Sequence, residues 1–312
     1  MLSRIADSLF WLSRYMERAD SLLRLTSTHY ISSLDKDLTT YRNWKPVLET
    51  FSAASPKEIE TLENDTEGAL VKLLMDVSNH NSLKLIVNRA RENARGVQDN
   101  ITKEVWGEVN KMYHLINQPI LLSRLNANDA MEVMDWFTQH CVTYTGLTQI
   151  TMPRGTGWDF MNLGIYLERT LQTITFLQKQ LQLLNQMETE PNDILYWRYL
   201  LLSLSGYELH LKTYQNTHHT YNVLHQVVLN ESFSHSILYS LTHVSSFLNR
   251  VTDKDDAEGA NLLRLFGRTH SKVCYMDLEL LNGECLEQFL EELTGELQHF
   301  NILMGQHFFS YS

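Results

Sequence analysis

The stretch Leu12–Arg18, with the sequence LSRYMER, recurs in related form as Leu163–Arg169, LGIYLER. Both copies lie in long segments whose apolar residues repeat with helical spacing. Each copy places a Glu-Arg dipeptide among aromatic residues, where a charged group is costly unless it is paired. The repeated stretch therefore predicts two long helices that are central to a helical protein and carry paired charges.

The composition favours helices over strands. Gly (13) and Pro (5) are scarce among the 312 residues, so few turns interrupt the chain. No segment shows the alternation of apolar and polar residues that marks a strand. We predict an all-α fold, a single large multi-helix bundle without a sheet, as one domain over residues 1–312. The Pro-Gly loop at 152–157 leaves open a two-half organisation, 1–150 and 151–312, in which each half begins with a Glu-Arg helix.

The spacing of apolar residues also predicts where individual helices lie. The longest predicted helices cover residues 3–33, 81–101, 128–151, 158–186, 193–229, 233–251, 257–281 and 284–309. Gly206 predicts a kink in the helix over 193–229. Ser55 followed by Pro56 and Glu58 predicts the start of a further helix, with the serine as its cap.

Charge and cysteine content exclude several classes of function. The net charge of −11 argues against binding to nucleic-acid phosphates and to anionic membranes, and leaves a basic partner surface as an option. No apolar run approaches the roughly 20 residues of a membrane span. Three cysteines without a C-x-x-C motif, and no signal peptide, predict reduced thiols in a cytoplasmic protein.

The two Glu-Arg dipeptides cannot pair internally. Adjacent residues of a helix point about 100° apart, so we expect Glu17 and Arg18 to find their charged or hydrogen-bonding partners on other helices. We expect Arg18 and Arg169 to reach carboxylates on neighbouring helices, and Glu17 and Glu168 to receive other donors. Two interpretations follow. The charges form a structural network that fixes helix register, or they form a pocket in which arginines bind a carboxylate-bearing ligand.

A third polar stripe lies on a predicted helix between the two dipeptides. Asn88, Glu92, Arg95 and Asp99 recur at helical spacing, with Arg91 beside them. A shared polar centre would use this stripe, but a solvated, salt-bridged surface would have the same spacing.

We predict one polar, ligand-binding centre that draws on three helices. Its members are Arg14, Glu17, Arg18, Arg91, Glu92, Arg95, Glu168 and Arg169. No residue is assigned a catalytic role. No metal or cofactor is predicted, because the one Glu-x-x-His, Glu296 to His299, has no second copy to complete a di-metal site.

Four ordered blocks of sequence resemble the bacterial alpha-E domain family, which is named for its helices and its Glu-Arg motif. The resembling blocks are Leu2–Ala6 with Phe10–Ala19, Ala90–Arg95 with Trp106 and Asn110, Thr151–Arg169, and Gly267 with Arg268. The resemblance spans nearly the whole chain.

The resemblance implies a role beside other enzymes. Alpha-E proteins partner circularly permuted ATP-grasp ligases and transglutaminase-like proteases, so we expect an accessory or substrate-binding helical partner of an ATP-grasp system that makes or modifies a peptide or amide-linked metabolite. One alternative is an amide-forming or amide-cleaving enzyme that uses Glu17, Glu92 or Glu168 as acid or base. A second alternative is a purely structural interaction module.

Overall fold

The structure, a computed structural model, describes residues 2–34, 43–126, 129–185, 194–215, 218–253, 256–278 and 283–310. Over these residues the chain forms fifteen α-helices and no strand, which confirms the predicted all-α class. None of the described helices is long and apolar enough to cross a lipid bilayer. The helices are α1 Ser3–Leu34, α2 Lys45–Phe51, α3 Pro56–Leu62, α4 Thr66–Leu74, α5 Leu83–Gly96, α6 Lys103–Ile116, α7 Ile120–Asn126, α8 Ala130–Thr151, α9 Thr156–Asn185, α10 Ile194–Ser203, α11 Tyr207–Thr213, α12 His219–Val228, α13 Ile237–Val251, α14 Ala257–Cys274 and α15 Gly283–Phe309.

The helices are grouped into two compact units. The N-terminal unit comprises Trp11–Pro153, and the C-terminal unit comprises Met1–Phe10 together with Arg154–Ser312. One boundary lies within α1. The other lies in the Pro-Gly loop between α8 and α9, where the sequence breaks its helical pattern.

In the N-terminal unit, α6 packs between α5 and α8. Helix α1 meets α8 through polar contacts: Ser13 Oγ lies 3.3 Å from Tyr144 Oη, and Ser27 Oγ donates to Met134 Sδ across 3.5 Å. The short helices α2, α3 and α4 pack on one another beside this group. Trp44 is fully buried at the start of α2 and donates its indole N–H to Thr66 Oγ1 at 3.1 Å, which anchors the short helices.

In the C-terminal unit, four long helices pack in a closed order. Helix α9 packs on α13, α13 on α14, α14 on α15, and α15 on α9. Phe266 of α14 and Phe300 of α15 meet in the core with ring centroids 4.8 Å apart. Helices α10, α11 and α12 form a smaller group, in which buried Trp197 donates to Thr220 Oγ1 at 3.2 Å.

Each unit contains a tight turn of the same construction. The first turn is Asp76–Ser82, before α5, and the second turn is Asn230–Ser236, before α13. In both, the side chain of the first residue accepts from the backbone N–H two positions later, at 2.8 Å. The serine that ends each turn then caps the following helix, because its hydroxyl accepts from the third residue of that helix.

Several helix boundaries differ from the sequence prediction. The predicted helix over residues 193–229 is three helices, α10 to α12, and what was predicted as a kink at Gly206 is a break. Ser205 has φ 54°, and Gln226 Nε2 donates to the Gly206 carbonyl at 2.8 Å. A Cβ atom on Gly206 would lie 2.7 Å from the Phe233 ring, so close packing maintains this break.

Other boundaries shift by less. Helix α5 ends at Gly96 rather than at residue 101, and α13 begins at Ile237 rather than at residue 233. Helix α7 was not predicted. Ser55 does cap α3, as predicted, and accepts from the Glu58 N–H at 3.3 Å.

Candidate functional site

The arginines of the first Glu-Arg motif are held by aromatic rings and by the first turn. Arg14 is buried, and its guanidinium carbon lies 4.6 Å from the centroid of the Trp11 ring. Arg18 Nη1 donates to Asn81 Oδ1 at 3.4 Å, and its guanidinium lies 5.8 Å from the Tyr15 ring. Arg18 therefore links α1 to the turn that precedes α5.

Glu17 lies on a polar stripe of α1 that faces α8. The stripe begins at Ser13, which contacts Tyr144, and continues through Asp20, which pairs with Arg24 at 2.8 Å. Burial raises the pKa of the Cys141 thiol on α8 well above its usual range, and the nearby carboxylates of Asp20 and Glu17 add to this rise. The neighbours described for Glu17 and Arg18 therefore differ: Cys141 on α8 for Glu17, and Asn81 in the first turn for Arg18.

The second Glu-Arg motif has a similar arrangement on α9. Glu168 is only 1% exposed, and its Oε1 accepts from Gln172 Nε2 at 3.0 Å. Arg169 Nη1 donates to the Ser234 carbonyl at 3.3 Å, and its guanidinium lies 5.3 Å from the Tyr166 ring. Arg169 therefore links α9 to the second turn, which precedes α13.

The polar stripe of α5 is exposed to solvent at Glu92 and Arg95 and half-buried at the neighbouring Arg91. Arg91 is half-buried, donates from Nε to Asn110 Oδ1 at 3.2 Å, and lies 4.4 Å from the Tyr113 ring. Arg91 also pairs with Glu92 at 2.8 Å, and Arg95 pairs with Glu92 at 3.5 Å. The side chains of Glu92 and Arg95 are 59% and 62% exposed, so these two residues lie on a salt-bridged surface.

A polar groove opens between α6 and α8. It has a volume of about 600 Å³, and its base is Glu108, which is only 5% exposed. His140 Nδ1 lies 2.5 Å from Glu108 Oε1, and Lys111 Nζ lies 3.5 Å from Glu108 Oε2. The remaining lining residues are Leu115, Gln118, Trp136, Gln139 and Thr143.

The indole of Trp136, in the wall of this groove, also contacts a guanidinium. The guanidinium of Arg124, on α7, lies 4.5 Å from the centroid of the Trp136 ring. Arg124 is itself paired with Asp129 at 3.2 Å and with Glu132 at 3.4 Å. Trp136 thus contacts a paired cation and also lines the groove.

Comparison with protein families identifies the family of the chain. The Alpha-E family model, described as a predicted alpha-helical domain with a conserved ER motif, matches residues 1–309. The chain belongs to the Alpha-E family. No curated protein and no solved structure matches this Alpha-E chain significantly.

The structure shows local contacts for most of the residues predicted to form the polar centre of this Alpha-E chain. Arg91, Glu92 and Arg95 form one connected group on α5. Arg18 and Arg169 each contact a turn, Arg18 through an amide oxygen and Arg169 through a backbone carbonyl, and a carboxylate partner for either arginine stays a prediction. Convergence of all eight residues in one centre stays a prediction.

The groove residues of the Alpha-E chain were not predicted, although Glu108 left a signal in the sequence. Val105, Glu108, Met112 and Ile116 recur at steps of three and four, and the other three members of that seam are buried. A charged residue at an apolar position of a seam predicts a buried polar contact. Its partner, His140, lies on another helix, and no spacing rule identifies it.

Proposed function

We propose that this Alpha-E chain is an accessory, substrate-binding partner of a circularly permuted ATP-grasp ligase in the bacterial cytoplasm. The ligase would activate a carboxylate and join it to an amine, and the pair would make or modify a peptide or amide-linked metabolite. A transglutaminase-like protease is the second expected partner. The family match over residues 1–309 carries the proposal, because partnership with these enzymes is what the resemblance implies.

The setting of the Glu-Arg motifs supports an accessory role over a catalytic one. Arg18 and Arg169 contact turns inside their own units, which is what groups that fix the positions of helices do. Glu168 is buried and accepts a hydrogen bond from Gln172, one helical turn away. The net charge of −11 suits a basic partner surface.

The proposal is tested by reconstituting the pair. The chain would be co-expressed with a circularly permuted ATP-grasp ligase from the same genome, and ATP hydrolysis and product formation would be measured with and without the chain. We expect a complex and a higher rate of product formation in its presence. Failure to form a complex, together with an unchanged rate, would contradict the proposal. An unrelated ATP-grasp ligase serves as the control bait.

The same assay separates the two alternatives. Turnover of an amide substrate by the chain alone would identify it as an enzyme in its own right. A complex that forms without any effect on the rate or the product would identify a structural module. Glu92→Gln and Glu104→Gln are matched variants on exposed helix faces, and only the first lies in the predicted polar centre. A selective loss of stimulation in Glu92→Gln would support that centre as the substrate-binding part.

A further inference from the structure

A positioned imidazole, that of His140, lines the α6–α8 groove beside Glu108. An ionised carboxylate can only accept hydrogen bonds, so the 2.5 Å contact with Glu108 places the proton of a neutral His140 on Nδ1. Nε2 is then left as an acceptor. Among the described residues, no group hydrogen-bonds to this Nε2. Glu108 is buried and fixed at the base, so it holds His140 in one orientation at the groove.

The mouth of the groove carries a cation beside amide groups. The Lys111 side chain is 71% exposed, and its ammonium reaches Glu108 only at 3.5 Å. It is therefore free to move toward a second anion at little cost. Gln118, Gln139 and Thr143 add neutral donors and acceptors along the rim. This set suits a ligand that presents a carboxylate and a neutral amide.

The remaining wall is apolar. Trp136 contacts the Arg124 guanidinium, and Leu115 extends the apolar surface. A volume of about 600 Å³ lies within the range of small-ligand sites, roughly 300 to 1,000 Å³. Such sites combine an apolar wall with a few fixed polar groups, as this groove does.

We propose that the α6–α8 groove binds a small ligand that has a carboxylate, an amide and a flat apolar body, a class that includes N-acyl amino acids. The carboxylate pairs with Lys111, the amide donates to Nε2 of His140, and the apolar body stacks on Trp136. This site belongs to the chain itself and does not depend on a partnership with an ATP-grasp ligase.

The direct test uses the full chain and hippurate, N-benzoylglycine, as the probe. Binding is measured by isothermal titration calorimetry and by saturation-transfer NMR. Hippuramide, which has the same ring and amide but no charge, is the matched ligand. We expect hippurate to saturate the chain and hippuramide to bind about threefold to tenfold more weakly, since one charged contact is lost.

Two variants locate the binding. Lys111→Gln should weaken hippurate binding about threefold to tenfold, and Trp136→Leu by at least as much. Lys103→Gln is the control, because Lys103 is exposed on the same helix but does not line the groove. Circular dichroism verifies that each variant is folded. The proposal is overturned if hippurate shows no binding at about 10 mM, if hippuramide binds equally well, or if Lys111→Gln behaves like Lys103→Gln.

The positioning role of Glu108 has its own readout. The ¹⁵N shifts of His140, recorded at alkaline pH where imidazole is neutral, report which ring nitrogen carries the proton. We expect an Nδ1–H tautomer in the unmodified chain and a tautomer mixture in Glu108→Gln, whose amide can donate as well as accept. An Nε2–H tautomer in the unmodified chain would contradict the assignment of Nε2 as the acceptor for the ligand.

Discussion

Arg169 donates from Nη1 to the backbone carbonyl of Ser234 across 3.3 Å, and so ties α9 to the turn before α13. In the other unit Arg18 contacts Asn81, in the turn before α5, at 3.4 Å. Both arginines also lie near a tyrosine three positions earlier in their helix. The arginine of the Glu-Arg motif thus makes the same kind of contact in both units. It binds the turn that precedes α5 in one unit and α13 in the other.

The first prediction concerns these two contacts. Arg169→Ala and Arg18→Ala should each lower the free energy of unfolding by about 1 to 2 kcal/mol, because each loses a hydrogen bond from a charged group and its packing on a ring. Arg95→Ala is the matched control, since Arg95 is exposed and makes a surface pair, and it should change stability by less than about 0.5 kcal/mol. Urea unfolding at neutral pH measures all three. Equal stability of Arg169→Ala and Arg95→Ala would show that the turn contact is not stabilising.

A second prediction concerns a buried ammonium in the N-terminal unit. Lys72 lies 2.6 Å from Glu58 and 2.8 Å from Asp76, and it joins α4 to α3 and to the first turn. Burial opposes the charge, but hydrogen bonds and charges of Asp76 and Glu58 prevail and raise the pKa of Lys72. Burial likewise acts to raise the pKa of Asp76, but the contacts with Lys72 and Ser78 prevail and lower it. Both pKa shifts mean that the folded state favours the charged forms of Lys72 and Asp76.

The pH dependence of the stability that Lys72 and Asp76 contribute follows from the directions of their two pKa shifts. Stability from Asp76 is present above its unfolded pKa, near 4, and is lost as pH falls through its lower folded pKa. Stability from Lys72 is present below its unfolded pKa, near 10.4, and is lost as pH rises through its higher folded pKa. Lys72→Met should destabilise by about 1 to 3 kcal/mol at pH 7, because two partly buried carboxylates lose their cation. Lys57→Met, at an exposed position, is the control. A variant as stable as this control would contradict the prediction.

The third prediction concerns the reactivity of the three cysteine thiols. Cys141 is buried and its thiol pKa is raised well above the usual range, first by burial and then by Asp20 and Glu17, whereas Cys274 and Cys285 are exposed. The thiolate is the reactive form, so Cys141 should be inert in the folded chain. A colorimetric thiol reagent should therefore titrate two thiols without denaturant and three in strong denaturant. Rapid modification of Cys141 in the native chain, located by mass spectrometry, would show that the α1–α8 contact opens readily.

The sequence predicts the long helices well and misses the breaks within the 193–229 segment, for a physical reason. Helices α1 and α9 are 32 and 30 residues long and repeat apolar residues at helical spacing over many turns, so the sequence identifies them as helices. The break at Gly206 depends instead on Gln226 and Phe233, which are distant in sequence and approach it only in the folded unit. Contacts of this kind override local pattern and cannot be read from spacing.

In the candidate sites, too, the sequence predicts some features and cannot predict others. Helix geometry favours different neighbours for Glu17 and Arg18, and the structure gives Arg18 a neighbour outside its own helix. The rule is not strict, because the adjacent Arg91 and Glu92 of α5 pair at 2.8 Å. The identity of that neighbour, a turn amide, does not follow from the sequence. In the groove, Glu108 interrupts an apolar seam visibly, but the approach of His140 requires the packing of α6 on α8.

The last prediction concerns a histidine buried beneath Trp44. His29 is fully buried, with its ring 4.5 Å from that of Trp44, and burial lowers its pKa to about 4 despite a hydrogen bond with the backbone of Asn43. The folded state therefore binds this proton more weakly than the unfolded state, whose pKa is near 6.5. Stability from neutral His29 is complete above pH 6.5 and is lost as pH falls toward 4. The loss between pH 7 and pH 5 should be about 2 kcal/mol.

Comparing the unmodified chain with His29→Leu isolates this loss, since other titrating groups affect both proteins alike. The stability difference between the two should change by about 2 kcal/mol between pH 7 and pH 5, in favour of the variant at the lower pH. His114→Gln, at an exposed position, should show no such change. Parallel pH profiles for His29→Leu and the unmodified chain would mean that the buried imidazole takes up its proton without opening the packing around Trp44.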